Sequence, residues 1–118
     1  MPALNFIKTM APKVESGEKR QTIRAMRKDG RNPKPGQTLY LYTGMRTKSC
    51  RKLREDVCKT VEPICIDENK NTIIGIHSLD FDEDKIFAKA DGFENVADYY
   101  SFFEKTHDLP FYGVLIKW

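Results

Sequence analysis

Asn95-Val96-Ala97-Asp98-Tyr99-Tyr100-Ser101-Phe102-Phe103-Glu104-Lys105-Thr106, followed after Pro110 by Phe111-Tyr112-Gly113-Val114-Leu115-Ile116-Lys117-Trp118, is the part of the chain that decides the fold. Val96, Tyr99, Tyr100 and Phe103 recur at i, i+3, i+4 and i+7, which predicts an α-helix over 95–106 with one apolar face. Asn95 suits its N-cap, with Asp98 as a box-like partner three positions on. The run 111–118, set off by Pro110, reads as a final strand.

Working outward, residues 82–91 predict a shorter helix. Asp82, Glu83 and Asp84 suit its positive N-terminal end, and Gly92 suits its C-terminal cap. Thr38-Leu39-Tyr40-Leu41-Tyr42-Thr43 reads as a strand by its β-branched and aromatic content. Leu39 and Leu41 alternate with Tyr40 and Tyr42, so one pair faces the core and the other a cleft. Residues 4–7, 21–25, 57–67 and 72–76 complete the expected strands, with a turn at 67–71. A single helical turn over 9–16 ends at Gly17. Two basic segments, 27–36 and 44–52, interrupt this pattern. The first carries two prolines and two glycines and reads as a mobile loop. Short strands with two consecutive helices late in the chain predict an α+β fold: a small, curved, mostly antiparallel sheet or barrel with two or three short helices.

Composition agrees with one folded domain over 1–118. Hydrophobic residues make up 40% of the 118 positions, and seven Phe, five Tyr and one Trp supply bulky core material. The formal net charge is only +3, but it is unevenly spread. Residues 1–60 hold 15 Lys and Arg against 5 Asp and Glu, a net +10; residues 61–118 hold 5 against 12, a net −7. Either the basic half meets an anionic partner, with nucleic acid, RNA included, the leading candidate, or the two halves neutralise each other across the fold. Cys50, Cys58 and Cys65 form no Cys-x-x-Cys pair and His77 and His107 stand alone, so neither a metal site nor a cofactor is expected. Unpaired thiols fit a reducing cytoplasm. Cys58, in the basic half, is the one to test as a thiol. The N-terminus lacks the pattern of a secretory signal, and no stretch is long and apolar enough to span a bilayer. A cytoplasmic protein without membrane contact is expected.

Chemistry concentrates in Gly17-Glu18-Lys19-Arg20-Gln21-Thr22-Ile23-Arg24. On a strand over 21–25, Thr22 and Arg24 point the same way, and Lys19 stands just before it. An amine, a hydroxyl and a guanidinium then converge at one strand end. Such a group either binds phosphate or attacks a carbonyl; the commoner fate of cations in a turn is simple solvation.

Gly17-x-Lys19-x-x-Thr22-x-Arg24 resembles the signature turn of the ASCH family, whose fold is a PUA-like β-barrel. Gly36-Gln37-Thr38-Leu39 resembles that family's Gly-Asp-x-Leu strand entry, Ala88-x-x-Asp91-Gly92-Phe93 its acidic-Gly-Phe turn, and 111–118 its closing strand. The resemblance spans nearly the whole chain. It implies an activity like that of the small N4-acetylcytidine amidohydrolases, which hydrolyse the acyl amide on the exocyclic nitrogen of modified cytidine. Position by position it implies Lys19, Thr22 and Asp91 as the catalytic group. Three departures stand out: Asp91 is one methylene shorter than the family's Glu, Gln37 replaces the more usual Asp, and the basic segment 44–54 is longer.

Amide hydrolysis needs a nucleophile, a proton acceptor, a donor to the departing amine and a partner for the oxyanion. Thr22 either attacks or positions a water. Lys19 serves as base once burial and neighbouring cations depress its pKa. Arg20 and Arg24 are candidates for binding substrate, and Tyr40 or Tyr42 for stacking on a pyrimidine. The alternatives are an RNA-binding module without catalysis and a ribonuclease.

Overall fold

The computed structural model describes residues 2–118. The chain runs β1 (Ala3–Phe6), α1 (Ala11–Ser16), β2 (Gln21–Ala25), β3 (Thr38–Thr43), β4 (Arg51–Val57), β5 (Thr60–Ile66), β6 (Thr72–Ile74), β7 (His77–Ser78), α2 (Phe81–Ala90), α3 (Val96–His107) and β8 (Phe111–Lys117). The strands form a three-stranded sheet in the order β1-β3-β4 and a five-stranded sheet in the order β2-β8-β5-β6-β7. Among the described residues only β1 and β3 pair in parallel; every other ladder is antiparallel. The α+β class with mostly antiparallel strands and three helices is therefore present. Among the described residues the ladders make two separate sheets, without the closed barrel that was expected.

Strand β8 explains the layering. Its residues alternate between two cores, which is why it is apolar almost throughout. Val114, Ile116 and, just beyond the strand, Trp118 pack with Leu4, Phe6, Leu39, Leu41 and Leu53 of the smaller sheet and with Ala11 and Val14 of α1. Phe111 and Leu115 face the other way, with Ile23, Ile64 and Ile66, beneath Phe87 and Ala88 of α2 and Tyr99, Tyr100 and Phe103 of α3. The apolar face of α3 is thus buried as its periodicity predicts. The five-stranded sheet is the middle layer.

The helix ends follow their sequence signals. Asn95 Oδ1 accepts from the Asp98 backbone N–H at 2.8 Å. Helix α2 starts one step earlier than expected, because Asp80 and Glu83 form a reciprocal capping box. The chief difference lies in 44–67. Residues 51–57 form a strand of their own, and the chain turns at Cys58 and Lys59 before β5. Strand β4 is an edge strand with only Leu53 buried, so its charged face hides the alternation that marks a strand. Residues 27–36 contain neither helix nor strand, yet polar bonds organise them: the Arg27 N–H donates to Asn32 Oδ1 at 3.1 Å and the Lys34 N–H to Gln37 Oε1 at 2.8 Å. Among the described residues, no helix is long and apolar enough to cross a membrane.

Candidate active site

Strand β2 lies at the edge of the five-stranded sheet, paired only with β8. Against its open edge lies a cavity of about 230 Å³. The end of β1 with Met10 forms one wall, and the α2–α3 turn with α3 forms the other. Lys19, Thr22, Arg24 and Asp91 all reach this cavity, among Phe6, Phe93, Phe102 and Phe103.

Local backbone rules bring Lys19 there. Gly17 ends α1 in the left-handed conformation (φ 85°), and the Lys19 N–H then donates to the Lys13 carbonyl at 2.9 Å. The chain turns inward just before β2, burying Lys19 to 3% exposure. Asp91 arrives from the end of α2 and is equally buried. Gly92 after it has φ 98°, and a Cβ there would lie 2.6 Å from Met10 Sδ and 3.1 Å from Lys19 Cδ. Glycine is required at this position both for the turn and for the approach of Lys19.

Two lysines cap the negative end of α2. Lys13 Nζ donates to the Gly92 carbonyl at 2.8 Å, and Lys19 Nζ donates to the Asp91 carbonyl. Lys19 Nζ also lies 3.4 Å from Asp91 Oδ1, which accepts from Gln21 Nε2 at 3.4 Å. Arg24 Nε donates to Thr22 Oγ1 at 3.2 Å, and a terminal nitrogen of Arg24 donates to the Asn5 carbonyl at 2.7 Å. The Arg24 guanidinium sits 4.9 Å above the Phe6 ring.

Burial governs the protonation of this group. It holds the Lys19 amine below its ordinary range; Asp91 pulls upward, while Arg24 and Lys13 add to the depression. Burial holds the Asp91 carboxyl above its ordinary range against the pull of Lys19, Gln21 and Arg24. Both shifts favour the uncharged forms. An uncharged Lys19 keeps two N–H donors for Asp91 and frees a lone pair that can accept a proton. The Arg24 bond to Thr22 leaves the hydroxyl proton to be donated and favours negative charge on Oγ1.

The other sequence candidates lie elsewhere. Arg20 turns away from the cavity toward the Trp118 carbonyl (3.4 Å) and Asp56 (3.5 Å). Tyr40 and Tyr42 lie opposite Glu55 and Lys52 of β4, on the face of β3 away from Leu39 and Leu41, and neither lines the cavity. The two leucines took the core side of β3, which sends the tyrosines to the outside of the smaller sheet. Cys58 is buried at 1% exposure, and burial pushes its thiol up, which suits a packed side chain rather than a nucleophile. Among the described residues, no group of His, Cys, Asp and Glu is placed to hold a metal ion.

Four contributors were not singled out from the sequence. Gln21 has the polarity to orient a carboxylate, but its strand parity conceals its partner. Phe6 and Asn5 belong to a short strand with no distinguishing pattern. His107 lines the cavity and stacks on Phe103 at 5.9 Å and 23°. The i+4 spacing from Phe103 signals this once the helix extends past Thr106.

Compared with known proteins, the chain matches no family model, no curated protein and no solved structure.

Proposed function

We propose that the protein is an amidohydrolase that removes the acyl group from N4-acylated cytidine or cytosine, giving cytidine or cytosine and a carboxylic acid, and that its sheets follow a PUA-like arrangement. One observation carries this reading: an amine and a hydroxyl from β2 and the turn into it and a carboxylate from the end of α2, each nearly buried, meet in one small aromatic cavity. Burying Lys19 and Asp91 together costs stability that packed apolar side chains would not, and such cost concentrates at functional sites. The cavity is below the range of about 300–1,000 Å³ for drug-sized ligands, and so suits a single base with its sugar outside.

In this mechanism the Thr22 hydroxyl attacks the acyl carbon, or holds the water that does. The attacking group's proton passes to the Lys19 amine, which returns it to N4 as the carbon–nitrogen bond breaks. Where Thr22 itself attacks, a water then cleaves the acyl–Thr22 ester, with Lys19 taking its proton and returning one to Oγ1, and the acyl group leaves as the acid. Asp91 fixes the Lys19 nitrogen, and Arg24 stabilises the charged oxygen at Thr22 or on the tetrahedral intermediate. Water is added across the amide bond, so no external oxidant or reductant enters. Incubation with N4-acetylcytidine, followed by its ultraviolet spectrum, is the direct test. Asp91→Glu restores the longer acid and is expected to retain activity. An inert wild-type protein would remove the proposal.

A second reading, an RNA-binding module without catalysis, is favoured by one feature. A groove of about 340 Å³, lined by Arg24, Arg27, Arg31 and Asn32, adjoins the cavity. Only two ion pairs among the described residues, Lys13–Glu94 and Lys19–Asp91, join the basic half to the acidic half, so the halves do not broadly neutralise each other. RNA affinity that falls steeply with salt, together with no turnover, would favour this reading.

A further inference from the structure

The cavity meets backbone groups as well as side chains. In an antiparallel ladder, alternate residues direct both N–H and C=O toward the neighbouring strand, and the others direct theirs away. The Trp118 N–H donates to the Arg20 carbonyl, and the register pairs Thr22 with Ile116 and Arg24 with Val114. The Arg24 carbonyl also faces β8, since a Cβ at Gly113 would collide with it. Residues 20, 22 and 24 therefore spend their backbone groups on β8. Ile23, midway along β2, directs its N–H and C=O to the open edge, where no other strand of the described residues lies.

That edge faces the cavity. Thr22 and Arg24 project from one face of β2, and Ile23 from the other, into the core beneath α3. Side chains from both faces line the same cavity, which places it against the strand's rim. A donor and an acceptor from one residue stand side by side there, flanked by the rings of Phe93 and Phe102.

We infer that Ile23 reads the base through this pair of backbone groups, selecting heterocycles with a ring-nitrogen acceptor beside an exocyclic N–H donor. This inference rests on the proposed reading of the cavity as a base site, though not on catalysis there. Cytosine offers this pattern at N3 and N4. An N4-acyl group leaves one N4–H in place, so the acylated base offers it too. Uracil offers the reverse, a ring N–H beside a carbonyl, and would set donor against donor and acceptor against acceptor. A backbone pair cannot reverse its polarity as an amide side chain can, so the discrimination is fixed by the register of β2. Holding N3 and N4 at Ile23 keeps N4 beside Thr22, the neighbouring residue, where the amide is to be cleaved.

Binding of unreactive nucleosides by titration calorimetry tests this independently of turnover. Cytidine is expected to bind about tenfold or more tightly than uridine, which leaves buried groups unpaired, and than 3-deazacytidine, which lacks the N3 acceptor. Ile23→Pro removes the N–H at an edge position where the ladder does not use it. It is expected to abolish the preference while keeping a cooperative thermal transition. If that variant does not fold, the three-ligand comparison on the wild-type protein decides alone. Equal binding of cytidine and uridine, or no binding of cytidine, would overturn the inference. Selective cytidine binding by a protein that leaves N4-acetylcytidine intact would support the inference and remove the hydrolase reading; hydrolysis without base selectivity would do the reverse.

Discussion

Among the described residues, two groups of polar side chains are buried, and they differ in kind. Beneath the far end of α3, Thr72 Oγ1 lies 2.9 Å from the Tyr99 hydroxyl and 3.0 Å from the Tyr100 hydroxyl, and Tyr100 donates to Asp84 at 2.9 Å. This cluster joins β6, α3 and α2, and its centre is three hydroxyls that need no charge to satisfy one another. At the open edge of β2, the second group brings together Lys19, Asp91 and Arg24, whose ordinary forms are all charged, and borders a cavity. The hydroxyls of the first satisfy one another and tie three elements together, although Asp84 Oδ1 is buried there without a hydrogen-bond partner. The second sets ionisable groups beside a cavity, at a cost in stability that packed apolar side chains would not carry. Burial is common to both; what sets the second apart is that its ionisable groups are pushed toward their uncharged forms beside a cavity.

Phe103 belongs to both regions and gives the largest expected effect. It is 2% exposed, lines the cavity and meets Tyr99 edge-on at 5.5 Å. Phe103→Ala is expected to cost about 3–5 kcal/mol in chemical denaturation and to weaken turnover as well. A cost below about 1 kcal/mol would mean that the two regions are not joined through this ring.

One substitution made twice separates the regions. Thr22→Val and Thr72→Val each remove a hydroxyl with little change in shape. Thr22→Val is expected to lower N4-acetylcytidine turnover at least about a hundredfold, with a stability loss near that of one hydrogen bond, about 1 kcal/mol. Thr72→Val leaves two tyrosine hydroxyls short of a partner. It is expected to cost about 1–3 kcal/mol of stability and to leave kcat unchanged. If both variants lose stability alike and neither loses activity, the distinction between the regions fails.

The same contrast explains what could be read from the sequence. The apolar face of α3, the strand at 38–43 and the end of α1 at Gly17 were legible because each depends on local spacing. Strand β4 was not, because an edge strand with one buried leucine carries no alternation. Thr22 and Arg24 could be grouped from strand parity, with Lys19 just before the strand, and Asp91 could be suspected as a carboxylate at the unfavourable end of a helix. Their neighbours could not. Gln21 meets Asp91 across 70 residues, and nothing local encodes that meeting. The direction of Tyr40 and Tyr42 depended on which face of β3 the smaller sheet turned inward. The Asp80–Glu83 box was legible at the required spacing, but the acidic run beginning at Asp82 drew the helix start to itself.

Titration is expected to separate the regions further, with effects of opposite sign as pH rises. Burial raises Tyr99 and Tyr100 above the ordinary phenol value of 10. Their contribution to stability is complete below that value and is lost as pH rises through and beyond it, because the unfolded chain ionises first. Urea midpoints should therefore fall above pH 10, and less steeply in Tyr99→Phe. Lys19 acts oppositely and on rate: its amine must be uncharged to accept a proton. Burial lowers its pKa, so kcat/KM should rise with pH and level off below the ordinary lysine range. A rate that is flat in pH, with Lys19→Met still active, would exclude the amine as base.

Arg20 gives the smallest expected effect and defines the border of the charged region. It stands beside Lys19 in sequence, yet its side chain lies along the outside, reaching Asp56 at 3.5 Å with about half of its surface in water. An exposed pair of that length contributes about 0–1 kcal/mol. Arg20→Ala is therefore expected to change stability by no more than about 0.5 kcal/mol and nucleoside turnover by less than about twofold, well short of a lost hydrogen bond to substrate. Arg24→Ala, four positions on, removes the donor to Thr22 and should cost at least about tenfold in kcat. If the two variants behaved alike, the guanidinium near Thr22 would have no special part in the chemistry, and the stabilisation of the developing charge would have to come from Lys19 alone.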